Sequence, residues 1–279
     1  MPHVTLPHTT IDYHELGPAD SQHPPVVFVH GMLVDHQLWS AVAERLADQG
    51  YRCILPIWPL GSHTTPVTDR SRQSPAGMAD TINDFLVALD LRDVTLVGND
   101  TGGGVCQFVI DAHPDRIGRV VLTNCDAFDK FPPFPFNAVF ALLRGPLSVK
   151  ILFNAMRLKA VRHSPTGFGL LADADPAMTV AWIKPARDDS RIAADMAAML
   201  RNIARADLTE VAPRLHRFTK PVTVVWGMAD RCFTPALGRR LAALFPNGRF
   251  IEVPGARTFV PIDNPAAVAD AIMAVGATA

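Results

Sequence analysis

Short unbroken runs of apolar residues alternate along this chain with stretches whose apolar positions recur every three or four residues. The runs "VVFVHG" (26–31), "RCILPI" (52–57), "VTLVGN" (94–99), "RVVLTN" (119–124), "PVTVVWG" (221–227) and "RFIEVPG" (249–255) are rich in Val and Ile and predict strands. Helices are predicted between them, the first near 36–49. The second covers "SPAGMADTINDFLVALDL", with Ser74 as N-cap and Pro75 at its first position. The others cover "GGVCQFVIDAHP", ending before Pro114, then 235–245 and 265–275. Strands that are apolar throughout must be covered on both faces. The expectation is therefore an α/β fold, a mostly parallel central sheet with helices on both faces.

The alternation stops between about 127 and 216. This segment opens with "FDKFPPFPF" and continues with helical patterns: "NAVFALLRG", "LSVKILFNAMRLKAV", "PAMTVAWIKPA" and "RIAADMAAMLRNI". No strand pattern occurs in it. Residues 1–126 with 217–279 are read as a core domain, and 127–216 as a helical cap insertion. Ligands of such sheets bind beyond the carboxyl ends of the strands, where an insertion forms a roof.

With 279 residues, 48% of them hydrophobic, the chain can bury a large core. The net charge is −1 and the Lys and Arg residues look scattered, which argues against a nucleic-acid partner and against a polybasic membrane anchor. The opening "MPHVTLPHTTIDYHELG" lacks the basic and apolar regions of a signal peptide, and no apolar run nears the ~18 residues of a membrane span. Cys53, Cys106, Cys125 and Cys232 lie far apart without a CxxC pair, which fits reduced thiols in a cytoplasmic protein. No metal-ligand cluster stands out, and "TGGG" lacks the spacing of a dinucleotide loop, so no cofactor is expected. The expected partner is a small molecule; the oligomeric state is open.

Chemistry concentrates in "TLVGNDTGGGVCQF", residues 95–108. A strand, then Gly-x-Asp-x-Gly, then a helix is the nucleophile-elbow pattern with Asp100 at the tip. Gly98 and Gly102 suit a turn where the backbone passes close to itself. The helix start behind it offers free N–H groups that favour an anionic Asp100. The alternative is an ordinary turn with Asp100 as helix N-cap.

Taken with "FVHGMLVDHQLW", "PIWPLGSHTTP", "WGMADRCF" and "VPGARTFVPIDNP", this stretch resembles the α/β-hydrolase fold superfamily. The Asp-nucleophile branch, with haloalkane dehalogenases and epoxide hydrolases, is the nearest in pattern. The resemblance implies Asp100 as nucleophile, the backbone N–H groups of Met32 and Thr101 as oxyanion hole, and Asp230 as the acid. Asp126 is a second position from which this branch can supply an acid, and His30 shapes the "HG" turn.

The chain departs from the family pattern at Thr258, where the catalytic histidine is expected, and no histidine follows His216. A hydroxyl is no base near neutral pH, and a missing general base costs roughly 10²–10⁴ in rate. Three readings stay open. Another histidine serves, His63 first and His36 or His163 after it; or carboxylates alone carry an isomerisation, cyclisation or elimination; or the fold only binds a ligand. Carboxylate attack favours an sp³ carbon bearing a halide or an epoxide oxygen over an ester carbonyl. Roof tyrosines are absent, since Tyr13 and Tyr51 precede the insertion, and Thr101 stands where dehalogenases commonly carry Trp and fluoroacetate dehalogenases Arg. His30, Trp58, Phe131, Phe134 and Trp182 are candidates to line an apolar pocket for a small to medium substrate.

Overall fold

The computed structural model describes residues 1–131, 133, 135–206 and 208–276. Eight strands form one sheet: β1 (His3–Leu6), β2 (Thr9–Leu16), β3 (Val26–Val29), β4 (Cys53–Pro56), β5 (Val94–Asp100), β6 (Ile117–Cys125), β7 (Val222–Gly227) and β8 (Gly248–Val253). Their spatial order is β1-β2-β4-β3-β5-β6-β7-β8, antiparallel from β1 to β4 and parallel from there on. Every residue of β3 and β7 is buried, as covering both faces demands. The edge strand β8 is only partly buried.

Three helices precede the insertion: α1 (Ser40–Asp48), α2 (Pro75–Ala88) and α3 (Thr101–Ala112). A 3₁₀ turn over His36–Trp39 leads into α1, so the helix expected from 36 begins four residues later. Asp35 opens that turn by accepting the Gln37 N–H, and Ser74 caps α2 through the Gly77 N–H, with Pro75 at the first position. The β1–β2 hairpin has no counterpart among the expected strands. The alternating burial of "TTIDYHEL" faces Thr9, Ile11 and Tyr13 to the core and carries Thr10, Asp12 and His14 on the other side.

Between β6 and β7 the chain is helical: α4 (Phe136–Leu142), α5 (Pro146–Ala155), α6 (Lys159–Arg162), α7 (Phe168–Leu171), α8 (Pro176–Asp188), α9 (Ser190–Ile203) and α10 (Leu208–Val211). The stretch "LSVKILFNAMRLKAV" reads as one helix but breaks at Met156–Leu158 into α5 and α6. No described residue of this insertion enters the sheet. The last helices are α11 (Pro235–Ala242), α12 (Val260–Asp263) and α13 (Pro265–Gly276). None of the helices in the described residues is long and apolar enough to cross a membrane.

Buried polar bonds fasten α8 and α9 to the core. Trp182 Nε1 donates to Asp35 Oδ1 at 3.0 Å, and the Ser62 hydroxyl donates to the Trp182 carbonyl at 2.7 Å. Asp195 of α9 is fully buried and accepts from the Val67 N–H (2.9 Å) and Arg70 Nε (2.6 Å), with His63 Nε2 at 3.4 Å. Three partners from one core loop thus neutralise a carboxylate that could not be buried alone.

Candidate active site

Strand β5 ends at Asp100 and helix α3 begins at the next residue. Asp100 holds φ 53° and ψ −132°, a conformation rarely adopted outside glycine. Its side chain makes no capping bond to α3, so helix capping does not account for it. A Cβ at residue 102 would strike the Val29 carbonyl, which brings α3 against β3. A Cβ at residue 31 would strike the Asp100 carboxyl itself. The carboxyl is therefore seated on bare backbone, where the nearby N–H groups of Thr101 and Met32 favour its charged form.

Burial and the nearby Asp230 push the Asp100 carboxyl up to about 7, against the opposing pull of those two N–H groups. Asp230 follows β7. Its Oδ1 accepts the N–H groups of Cys232 (2.7 Å) and Phe233 (3.1 Å), and its Oδ2 accepts Asn124 Nδ2 at 2.7 Å. Burial raises its pKa, and these bonds, with Thr258 close by, oppose the rise. Asp126 is fully buried, and neither of its carboxyl oxygens has a hydrogen-bond partner of good geometry. Burial and the charge of Asp100 raise it well above the ordinary carboxylate range.

Two asparagines that were not among the expected site residues hold these loops together. Asn124 clamps Gly227, donating to its carbonyl at 3.2 Å and accepting its N–H at 2.6 Å, while its Nδ2 also serves Asp230. Asn99 donates to the Thr258 carbonyl and to the Thr123 hydroxyl, both at 2.8 Å. Their signal is legible in hindsight: each is a polar residue at the carboxyl end of an otherwise apolar strand, "VTLVGND" and "VVLTNC".

Asp100 opens into an apolar cavity of about 150 Å³ between core and insertion. The floor is Asp100, Thr101, Met32 and Leu33; Phe136, Phe140, Met156 and Phe168 are among the walls. Most of the expected lining residues lie elsewhere. Trp58 is a core residue, donating Nε1 to the Phe28 carbonyl and packed edge-on against Phe85. Trp182 stands behind the wall, edge-on to Phe168, with its N–H spent on Asp35. Phe131 packs near Gly104 on α3. Phe134 lies outside the described residues. His30 is buried, with Nδ1 bonded to the Gly31 carbonyl and Nε2 accepting the Trp58 N–H; burial lowers its pKa to about 4 and it stays neutral.

A profile of the alpha/beta hydrolase fold family matches residues 24–265. The chain belongs to this family. As an α/β-hydrolase it shares 30% identity with the non-heme chloroperoxidase CPO-A1 of Kitasatospora aureofaciens over 249 residues, 86% of each chain. It shares 26% with haloalkane dehalogenase 2 of Mycobacterium tuberculosis over 272 residues, 90% of this chain and 87% of the relative. The enol-lactonase of Burkholderia xenovorans LB400 superimposes with a TM-score of 0.76 at 18% identity, covering 98% of this chain and 99% of that one. Peroxidase, dehalogenase and lactonase are three different chemistries, so the activity of this α/β-hydrolase has to be argued from its own side chains.

The imidazole that this α/β-hydrolase lacks at position 258 is not supplied from elsewhere among the described residues. His63 binds Asp195 through Nε2 and accepts the Gly61 N–H at Nδ1, so neither ring nitrogen is free for Asp100. His36 stacks on His14, and His163 bonds Thr179. His8 bonds Thr81, His113 bonds Asp80, His216 bonds the Pro213 carbonyl, His23 stacks on Tyr51 and His3 is exposed. Together with His30 these are all ten, and none lines the cavity. His63, expected as the replacement base, does not line the cavity, because a cap carboxylate from 132 residues away holds its ring.

Proposed function

We propose that this α/β-hydrolase acts on small to medium, largely apolar substrates through Asp100 as nucleophile. The carrying observation is the seating of Asp100: strained backbone, the N–H groups of Thr101 and Met32 favouring its charged form, and an apolar cavity in front of it. With an alkyl halide, an Asp100 oxygen bonds to carbon and the halide leaves with the bonding pair. With an epoxide, the ring C–O bond breaks and the released oxygen takes a proton from solvent. Met32 and Thr101 hold the other carboxyl oxygen, and Asp230 with Thr258 borders the path of water. No imidazole is positioned to activate that water, so the ester forms faster than it breaks.

The test is mass spectrometry after incubation with a reactive primary alkyl bromide. One adduct per chain on the peptide containing Asp100, absent in Asp100→Asn, is the expected result, with release accelerated in Thr258→His. Rapid multiple turnover without adduct would refute slow ester breakdown.

A second reading is favoured by one observation: Asp100, Asp126 and Asp230 share a buried site without an imidazole, and Asp100 is held near 7. A carboxylate so poised is a base at neutral pH, suited to isomerisation, cyclisation or elimination. Neither adduct nor turnover with halides or epoxides would move the assignment to that chemistry, or to ligand binding alone.

A further inference from the structure

Helix α5 is apolar on both sides. Val149, Leu152, Phe153 and Met156 face inward, and Leu152 and Met156 line the cavity. On the outer side Leu147, Ile151 and Ala155 recur every four residues and are exposed. Leu142 before them and Leu158 after them are exposed as well. These four large side chains, Leu142, Leu147, Ile151 and Leu158, are 63–75% exposed, where surface leucines and isoleucines of a monomer usually occur singly. Five of the eight exposed large apolar residues of the described chain fall between 142 and 161.

The same segment is basic. Residues 136–163 contain Arg144, Lys150, Arg157, Lys159 and Arg162 and not one acid, although the whole chain has a net charge of −1. Arg162 is buried and bonded to Thr179 and the Met156 carbonyl. The other four reach solvent and form no ion pair among the described residues. The acids next to the segment on the α8–α9 turn are already engaged, Asp188 with Arg187 and Lys184, Asp189 with Arg191.

We propose that the outer face of α4–α6 docks onto an anionic lipid surface. A helix with protruding aliphatic residues flanked by unpaired Lys and Arg lies in the interface between headgroups and acyl chains, its cations on the lipid phosphates. A second copy of this chain fits less well, because a two-fold contact through this face would set the four cations against four cations. The docking does not depend on which reaction Asp100 performs. It sets aside the expectation from scattered charge that no membrane surface is a partner: the charges balance over the whole chain, but residues 136–163 carry cations and no acid.

Sedimentation with lipid vesicles tests it. The full protein is expected to bind vesicles containing phosphatidylglycerol at low salt, not pure phosphatidylcholine, and to be released by 0.5 M salt, roughly three times the physiological ionic strength. Each neutralised cation is expected to weaken partitioning about fivefold, so Arg157→Gln with Lys159→Gln weakens it about 25-fold. Ile151→Asp with Leu158→Asp is expected to abolish binding at every salt concentration. All four positions are solvent-exposed, and an unchanged melting curve for each variant confirms folding. Equal binding to neutral vesicles, or none to either, overturns the proposal. So does binding to polyglutamate without binding to vesicles, which points to an acidic protein, and so does a dimer in solution that Ile151→Asp dissociates.

Discussion

Replacing Asp100 by Asn should make the protein more stable above neutral pH. The amide has nearly the same shape and still accepts the Thr101 and Met32 N–H groups, while the charge is gone. Burial and Asp230 raise the carboxyl from an ordinary 3.8 to about 7. A group whose pKa is raised by folding supports the fold fully below its unfolded value, and that support is lost as pH rises through the folded value. Ionisation of Asp100 therefore costs nothing near pH 3 and its full amount above pH 7. About three pKa units at 1.36 kcal/mol each give an upper bound of roughly 4 kcal/mol. Relaxation of the site brings the expected gain to about 2–4 kcal/mol at pH 8. For a chain this long each kcal/mol shifts Tm by about 2–4 °C, so Asp100→Asn should melt about 5–10 °C higher at pH 8. The gain should shrink to nearly nothing at pH 4. Scanning calorimetry of both proteins at the two pH values decides it. A variant no more stable than the parent at pH 8, or a gain that ignores pH, would refute the burial of an ionisable Asp100 against Asp230.

Two further outcomes follow from the same geometry. The rate of Asp100 alkylation by an alkyl bromide, read by mass spectrometry, should rise about tenfold per pH unit below about 7 and level off above it, because only the anion attacks; a flat profile from pH 5 to 8 would contradict the raised pKa. Asn124→Ala removes the Asn124 hydrogen bonds to Asp230 Oδ2 and to the Gly227 N–H and carbonyl in a buried site, so urea unfolding should show a loss of about 2–4 kcal/mol.

The strands were legible because burial on both faces needs unbroken Val and Ile, and the elbow was legible because its glycines are forced by backbone contact. The β1–β2 hairpin was not: the outer face of β2 carries Asp12 and His14, and only pairing with β4 makes the inner positions core. The break after α5 has no Gly or Pro to announce it. Chemistry near Asp100 could be placed along the chain, since Asp230 and Thr258 follow strands. The fates of His63 and Trp182 could not, since both are decided by partners more than a hundred residues away, Asp195 and Asp35. The lining of the cavity was missed for a related reason: α4, α5 and α7 supply its walls, and helical periodicity does not reveal which apolar face meets a void.

The unequal attachment of the insertion bears on substrate size. Helices α8 and α9 are tied to the core by buried polar bonds that any large displacement would have to break. Helix α4, which provides Phe136, Val139 and Phe140 to the cavity, has no fully buried residue of its own. The Phe168 wall is thus backed by the anchored Trp182, whereas the α4 wall is cheap to displace. A volume of about 150 Å³ then describes the resting chamber and sets a floor, not a ceiling, for what it admits. Selection by length should be weak, because a longer chain only pushes α4 outward. Selection by branching near the reacting carbon should be strong, because that end meets the core floor of Met32, Leu33 and Thr101 around Asp100.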